Sequence, residues 1–183
     1  HYERAMIIKD SLIDEAVFCP SPNFDSRPAN GIISLIIIHA ISLPPGQYHT
    51  QLIKDFFLNV LDAGDNPQLQ SIQHLTVSSH LLITREGQLI QFVPFNKRSW
   101  HAGISSFDGQ EDCNDFSIGI ELEGCDDEPF ETEQYSTLIK TLDALKAQFS
   151  IHPKNIVGHC DVAPDRKTDP GPHFNWSLIR SSV

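Results

Sequence analysis

The segment 32–38 constrains the fold of this 183-residue chain more than any other. Apart from Ser34 it contains only isoleucine and leucine, and β-branched isoleucine favours strands. A short, continuous apolar run of this kind is typical of a strand buried on both faces, in a sheet that helices cover. The run ends at His39, so we expect an imidazole to lie where the strand gives way to a loop.

Other strands are indicated by alternation and by turn signals. Residues 77–84 and 88–93 are predicted to pair as a hairpin, and residues 117–123 alternate apolar and polar side chains as a further strand. A last short strand is expected over residues 155–159, ending in His159.

Helical spacing of apolar residues predicts the elements that cover this sheet. Helices are expected over residues 52–60, 69–75 and 132–149, the last with Thr132 as its N-cap. Residues 160–172 contain three prolines and are expected to form a loop. Interleaved strands and helices, with one hairpin, predict an α/β fold: a single domain with a central mixed β-sheet flanked by helices.

The domain is expected to occupy residues 19–183, after an N-terminal segment of residues 1–18. Met6 is the chain's only methionine, which favours it as the natural start. Residues 1–5 would then be an addition to the natural sequence. The residues after Met6 have no basic start, apolar core or cleavage site of a signal peptide, so we expect a cytoplasmic protein, with a processed longer precursor as the alternative. No feature of the sequence indicates more than a monomer.

Composition argues against several classes of partner. Thirteen Lys and Arg against 24 Asp and Glu give a net charge of −11. A nucleic-acid face needs cations to neutralise phosphates, and anionic membranes repel an acidic protein. No stretch approaches the ~20 apolar residues of a membrane span. The four cysteines show no CxxC spacing, and we expect unpaired, buried thiols.

Three residues could bind a metal. His39 and His159 each end a predicted strand, at the sheet edge where ligands gather. Asp169 follows His159 by ten residues on a proline-bracketed loop. Two imidazoles and a carboxylate form a common catalytic zinc set, with a fourth position for water. A lone histidine is more often a bystander, and no HExxH motif is present, so the spacing alone leaves this role open.

Two charged residues could carry proton transfer and charge stabilisation. Glu121 lies on the predicted strand 117–123, on the face opposite its apolar side chains, and is a candidate base. The alternative, a solvent-facing carboxylate on an edge strand, is equally compatible with the pattern. Lys167 could direct a cation towards Asp169, although the pattern alone favours an ordinary surface lysine.

Four segments together resemble the type 2 zinc N-acetylmuramoyl-L-alanine amidases, in the same order along the chain. They are residues 39–46 (HAISLPPG), 93–103 (VPFNKRSWHAG), 113–124 (CNDFSIGIELEG) and 158–172 (GHCDVAPDRKTDPGP). The resemblance runs from about residue 20 to the C-terminus and is highly specific. It is strongest to the cytoplasmic members that act on 1,6-anhydro-muramyl peptides.

The resemblance implies a zinc ion bound by His39, His159 and Asp169, with Glu121 and Lys167 as catalytic residues. It implies hydrolysis of the amide between the lactyl group of (1,6-anhydro-)N-acetylmuramic acid and L-alanine in recycled cell-wall muropeptides. Such an activity would also remove muropeptides that signal β-lactamase induction.

Further residues of these segments are expected to contact the muropeptide. Trp100 and His101 are expected on the sugar or carbonyl side of the cleft, with Trp100 as core filler the alternative. Arg166 would add local positive charge, and His80 is interpreted as structural.

Four positions depart from the residues expected in close relatives: Ala40, Thr76, Gln110 and Asp112. Asparagine is expected at the first and basic residues at the other three. None is a candidate ligand or base, so the departures bear on peptide recognition rather than on hydrolysis.

Three competing interpretations remain: a muropeptide-binding module of the same fold that does not cut, an extracytoplasmic amidase, and a plain α/β domain. Binding modules on this fold typically lose a metal ligand, whereas all three candidates are present here. The absence of a signal sequence and of wall-anchoring repeats argues against the second, and the segment matches argue against the third.

Overall fold

A computed structural model of the chain describes residues 4–182. Twelve strands occur in this range: β1 (Ile8–Lys9), β2 (Leu12–Ile13), β3 (Val17–Phe18), β4 (Phe24–Ser26), β5 (Leu35–Ile41), β6 (Leu81–Ile83), β7 (Leu89–Gln91), β8 (Lys97–Ser99), β9 (Ser106–Phe107), β10 (Gln110–Glu111), β11 (Ser117–Glu123) and β12 (Ile156–Gly158). The helices are α1 (Thr50–Phe57), α2 (Pro67–Gln70), α3 (Thr132–Phe149), α4 (His159–Val162) and α5 (Trp176–Ser182), with 3₁₀ turns at Cys113–Phe116 and Pro153–Asn155.

Six strands form the central sheet, in the order β12-β5-β11-β6-β7-β3. Neighbours pair in parallel except β6 and β7, which form the predicted antiparallel hairpin. The sheet is therefore mixed, and helices flank it as expected. No helix in the described range is both long and apolar enough to cross a membrane.

Alternation along the buried strands gives the two faces of the sheet different neighbours. Ile118, Ile120 and Leu122 of β11 pack with the apolar stripe of α3 in one cluster. Leu35 and Ile37 of β5 point the other way, into a cluster that includes α4 and the turn before β11. The side chains of His39 and Glu121 point to the same face of the sheet as Leu35 and Ile37, which is the face opposite α3.

The strand predictions were correct in kind but not at every boundary. β5 begins later than predicted and continues to Ile41, because its ladder with β11 pairs Ile41 with Glu123. β11 has the predicted bounds, but it lies between β5 and β6, so the alternative of an edge strand is wrong. The hairpin strands are shorter than predicted.

The helix predictions differ mainly at helix ends. α1 stops at Phe57 because Asn59 adopts a left-handed backbone with φ of 63°. Thr132 is the first residue of α3 rather than its N-cap; Glu131 forms a capping box with Gln134. α2 is a single turn that begins before the predicted second helix, residues 69–75, and overlaps it only at Leu69 and Gln70.

Sequence patterns did not predict α4 and α5. His159 was predicted to end the last strand, which instead stops at Gly158, and residues 160–162 fall in the segment predicted as loop. Residues 159–162 form α4 because the Asp161 carboxylate accepts from the Gly158 N–H at 2.8 Å and caps the turn. The four cysteines are free thiols, and only Cys113 is buried. Residues 1–3, part of the segment interpreted as an addition to the natural sequence, lie outside the described residues.

Candidate metal centre and active-site cleft

Two histidines and one aspartate from distant parts of the chain converge beside the sheet. His39 Nδ1 lies 3.0 Å from His159 Nδ1 and 3.5 Å from Asp169 Oδ2. His159 Nδ1 lies 3.2 Å from the same oxygen, and all three candidate ligand atoms fall within 4.8 Å of one another. The three residues predicted from the sequence are therefore brought together.

Parallel pairing of β12 with β5 explains why the histidines meet. Gly158, the last residue of β12, pairs with the residue before His39, so His159 follows at the level of His39. The loop carrying Asp169 returns to the same point, where its carbonyl accepts from the Cys160 N–H at 3.0 Å.

The distal ring nitrogens determine which atoms face the cluster. His159 Nε2 lies 3.1 Å from the Ala102 carbonyl, which can only accept, so this nitrogen carries the proton. His39 Nε2 lies 2.9 Å from His101 Nδ1, and His101 Nε2 lies 3.0 Å from Ser117 Oγ. These partners leave both Nδ1 atoms available as ligands, with oriented hydrogen-bond partners behind them.

The cluster has the chemistry of a cation site. Two Nδ1 lone pairs, of His39 and His159, would face each other beside the Asp169 carboxylate, and this repulsion is relieved by a proton or a cation between them. Two imidazoles and one carboxylate match the donor set of catalytic zinc sites, so the residues fit a zinc ion.

Burial shifts the pKa values of the residues in this cluster and so determines which of them carry a proton. It lowers the pKa of His39 to about 4, against the opposing influence of Asp169, so the ring is neutral at pH 7. Burial also raises the pKa of Asp169, but hydrogen bonds that the His159 and His39 rings donate when protonated outweigh it and hold that pKa below the ordinary range. Neutral imidazole and ionised carboxylate are the forms that bind a metal.

Glu121 lies beside this cluster. It pairs directly with His39 across β11 and β5, and its Oε1 is 3.6 Å from His39 Nδ1. Only 9% of the residue is exposed, and Oε2 has no hydrogen-bond partner in the described residues. Burial, with the charge of Asp169 adding to it and that of Lys167 opposing, raises the pKa of Glu121 well above its ordinary value. A buried carboxylate with one free oxygen can take and return a proton.

The cluster opens into a cleft of about 480 Å³. Its walls include a set of apolar side chains from the segment around α1 and α2: Leu43, Phe56, Phe57, Ile72, Leu75 and Val77. Trp100, His101, Arg166 and Lys167 also line the cleft.

Two of these residues have roles within the fold as well. His101 contacts His39 directly, and burial holds the pKa of His101 well below its usual value. The Arg166 guanidinium donates to the carbonyls of Ala102 and Ile104, at 3.0 and 2.7 Å, so it fastens the loop beside the cleft. Their contact with a substrate stays a prediction.

Among the four departures from expected residues, only Ala40 lines the cleft. Thr76 is exposed outside it, Gln110 lies in the short hairpin of β9 and β10, and Asp112 lines a separate groove with Arg166.

Sequence reasoning missed the residues that support the histidines. A Cβ at Gly119 would lie 2.5 Å from the His101 ring, so glycine is needed where this ring crosses β11. The Ser117 hydroxyl contacts the far side of the ring. Both are small residues on the face of β11 that also carries Glu121. This position in the strand pattern is the one sequence signal that marks them. His80 is structural as predicted: it is buried and contacts Lys97 and the Gly119 N–H.

The fold and this site define a class of protein. The family model of N-acetylmuramoyl-L-alanine amidases (Amidase_2) matches residues 29–172, and the chain belongs to that family. It is therefore an amide hydrolase, and the catalytic interpretation is favoured over a non-cutting binding module.

Particular members of the family are similar over nearly the whole chain. The 1,6-anhydro-N-acetylmuramyl-L-alanine amidase AmpD of Citrobacter freundii is 46% identical over 97% of this chain and 95% of its own length. AmpD of Escherichia coli K12 is also 46% identical, over 97% of both chains. The crystal structure of a selenomethionine AmpD derivative superimposes with a TM-score of 0.94, covering 97% of this chain and 99% of that one.

A more distant structure contains a substrate. AmiD of E. coli, in complex with anhydro-N-acetylmuramic acid-L-Ala-D-gamma-Glu-L-Lys, is 31% identical with a TM-score of 0.61, over 86% of this chain and 58% of that chain.

Proposed function

We propose that this chain is a zinc-dependent amidase that cleaves the bond between the lactyl group of (1,6-anhydro-)N-acetylmuramic acid and L-alanine in cell-wall muropeptides, in peptidoglycan recycling. The observation that carries the proposal is the convergence of His39, His159 and Asp169 beside the buried Glu121. The choice of substrate is supported by the 46% identity to AmpD and by the ligand of the AmiD complex.

In this proposal His39 and His159, each through Nδ1, and Asp169, through Oδ2, would hold a zinc ion. Bound there, it would supply Lewis acidity, which polarises a carbonyl and lowers the pKa of water towards ~7. His101 and the Ala102 carbonyl keep the two imidazoles in the required tautomer through their distal nitrogens.

Glu121 is the general base and then the general acid of the proposed reaction. Its unpartnered Oε2 accepts a proton from the attacking water and then delivers it to the departing alanine nitrogen. An amide nitrogen leaves poorly without that proton, so a carboxyl whose pKa is raised by burial suits both steps.

Lys167 supplies positive charge at the carbonyl oxygen as negative charge develops there. It lies in the cleft and is close enough to act electrostatically on Glu121 and His39. Trp100 offers an aromatic surface for the sugar, and Arg166 adds charge at the rim of the cleft.

The runner-up is a non-catalytic muropeptide-binding module of the same fold. It predicts an incomplete centre, whereas here three ligand atoms, Glu121 and Lys167 all surround one cleft. The presence of the base beside the ligand set favours the enzyme.

The test is incubation of the purified protein with anhydro-muramyl-tripeptide, with products identified by mass. Free tripeptide should be released, release should stop on chelation and zinc should restore it. Glu121→Gln should abolish release, whereas Glu86→Gln, on the exposed hairpin turn, should not. Peptide release that survives both chelation and Glu121→Gln would refute the proposal. The cytoplasmic location and the monomeric state stay predictions.

A further inference from the structure

A hydrogen bond crosses the cleft rim between two loops that are far apart in sequence. Thr168 Oγ1 donates to Asp126 Oδ2 at 2.6 Å. Thr168 stands between Lys167 and Asp169, the two residues of this loop to which chemistry is assigned above. Both Asp126 and Thr168 line the cleft.

The two loops are also fitted to each other sterically. Gly171 has a φ of 86°, and a Cβ there would overlap the Asp126 carboxylate and lie 3.1 Å from its Cα. The close approach therefore requires glycine at 171, so the Asp126 contact is built into the backbone of the loop.

The Asp126 loop is anchored from behind. The Arg85 guanidinium donates to the carbonyls of Glu123 and Pro129, on either side of that loop, at 3.1 Å each. It also lies 4.4 Å from the centre of the Tyr48 ring. Asp126 thus projects from a fastened segment, which can act as a fixed support for the opposite loop.

Lys167 and Asp169 depend on this support to different degrees. Asp169 has two other anchors: its carbonyl accepts from the Cys160 N–H, and its Oδ2 accepts from the Ala40 N–H at 3.2 Å. The Lys167 Nζ has no hydrogen bond or ion pair within the described residues. The residues on either side of it are held by side-chain hydrogen bonds: Arg166 by its bonds to the carbonyls of Ala102 and Ile104, and Thr168 by its bond to Asp126, which is the one that faces the cleft from the opposite loop.

We infer that Asp126 is a positioning residue, which through Thr168 holds the loop so that Lys167 points to the reacting carbonyl. This inference rests on the proposed function, since it assigns a support for the lysine of that reaction. Asp126 acts by geometry rather than by charge: an amide oxygen in its place can accept the same hydrogen bond.

The test is a double-mutant cycle on kcat for the muropeptide, with Asp126→Ala and Thr168→Val. Each should lower kcat about 10-fold or more with KM changed less than about threefold, because misplacement by ~1 Å can cost ~100-fold. The double variant should be no worse than either single variant, since both break one contact. Asp126→Asn should restore most of kcat, and Asp127→Ala, next to it and exposed, should leave kcat unchanged.

Two measurements do not depend on turnover. Zinc affinity, determined by competition with a chelating dye, should stay within about threefold of wild type in Asp126→Ala. Amide hydrogen exchange over residues 166–168 should accelerate in Asp126→Ala and Thr168→Val, and not in Asp127→Ala.

Wild-type kcat in Asp126→Ala, or multiplying effects in the double variant, would overturn the inference. A loss of zinc affinity that parallels the loss of kcat would do so as well, because Asp126 would then act on the metal ligand. If the wild-type protein cleaves no muropeptide, the proposed function fails, whereas the hydrogen-exchange comparison still tests the contact between the loops.

Discussion

His39 and Glu121 stand directly opposite each other on two adjacent parallel strands, with His39 Nδ1 3.6 Å from Glu121 Oε1. This register places a ligand atom and a carboxylate on one face of the sheet without help from any loop. Because β5 and β11 are buried along most of their lengths, neither residue can move away without breaking the ladder. The proposed base is therefore positioned by two buried, paired strands at the centre of the sheet.

Glu121→Gln should raise the stability of the metal-free protein at pH 7 to 8. Burial raises the pKa of Glu121, so between the ordinary and the raised pKa the folded state binds more protons than the unfolded state. The stabilisation that accompanies the raised pKa is fully present below the pKa of Glu121 in the unfolded state. It is lost as the pH rises through the pKa of Glu121 in the folded state. A neutral amide at this position does not ionise, so the variant does not lose this stability as the pH rises. Thermal unfolding with chelator present, compared at pH 5 and pH 8, should show the gain at pH 8 alone; equal shifts at both values would contradict this assignment.

His101→Gln should weaken zinc binding about 10- to 100-fold, the typical cost of losing a partner of a ligating histidine. His101 is the partner of the distal nitrogen of His39, at 2.9 Å. Chelator competition on the metal-free protein measures the effect directly. The matched control is His74→Gln, an exposed histidine outside the cleft, which should bind zinc as the wild type does. Unchanged affinity in His101→Gln would show that the contact does not orient the ligand.

Gly119→Ala should destabilise the fold by about 1–3 kcal/mol, the usual range for overpacking. The new Cβ would lie 2.5 Å from the His101 ring, and both lie in the buried layer beside His39. Replacing His101 by alanine in the same chain vacates that space. Denaturant unfolding should therefore show that His101→Ala costs less stability in the Gly119→Ala background than in wild type, and strictly additive effects would argue against the clash.

The sequence allowed the strands of this fold to be recognised, but not the order in which they pair. The alternation of β11 correctly placed Glu121 opposite Ile118, Ile120 and Leu122. Whether that face was open or buried depended on β5 and β6 lying on either side, and long-range pairing leaves no local periodicity. This is why an edge position remained open for Glu121, now found 9% exposed.

The candidate ligands could be named from the sequence because their motifs resemble a family, whereas their supports could not. Asp126 lies in an acidic stretch that is typical of a solvated loop, and its contact with Thr168 spans 42 positions. Ser117 is an ordinary small residue in a strand pattern. Such residues acquire their roles only from three-dimensional neighbours: strand parity shows which face Ser117 is on, but no spacing rule shows that it contacts His101.

Removal of zinc should lower the thermal midpoint, and Asp169→Ala should abolish this dependence. A ligand at 1,000 times its dissociation constant stabilises the folded state by ~4.1 kcal/mol, which corresponds to about 8–16 °C for a domain of this size. Unfolding scans with excess zinc and with chelator give the difference for each variant. If Asp169→Ala retains the full zinc-dependent increment, the assignment of this carboxylate as a ligand is wrong.

Neutralising the carboxylates of the stem peptide should weaken apparent substrate binding, measured as KM, less than about threefold. Gln110 and Asp112 stand where basic residues were expected, and neither they nor Thr76 line the cleft that contains the metal cluster. The chain also carries a net charge of −11, so attraction for an anionic peptide depends on the centre itself and on Lys167 and Arg166 beside it. Kinetics with anhydro-muramyl-tripeptide and its carboxamide derivatives measure this, with kcat as the internal check that hydrolysis is intact. If the carboxamides instead bind about tenfold more weakly or worse, a cationic site for the peptide exists elsewhere on the surface.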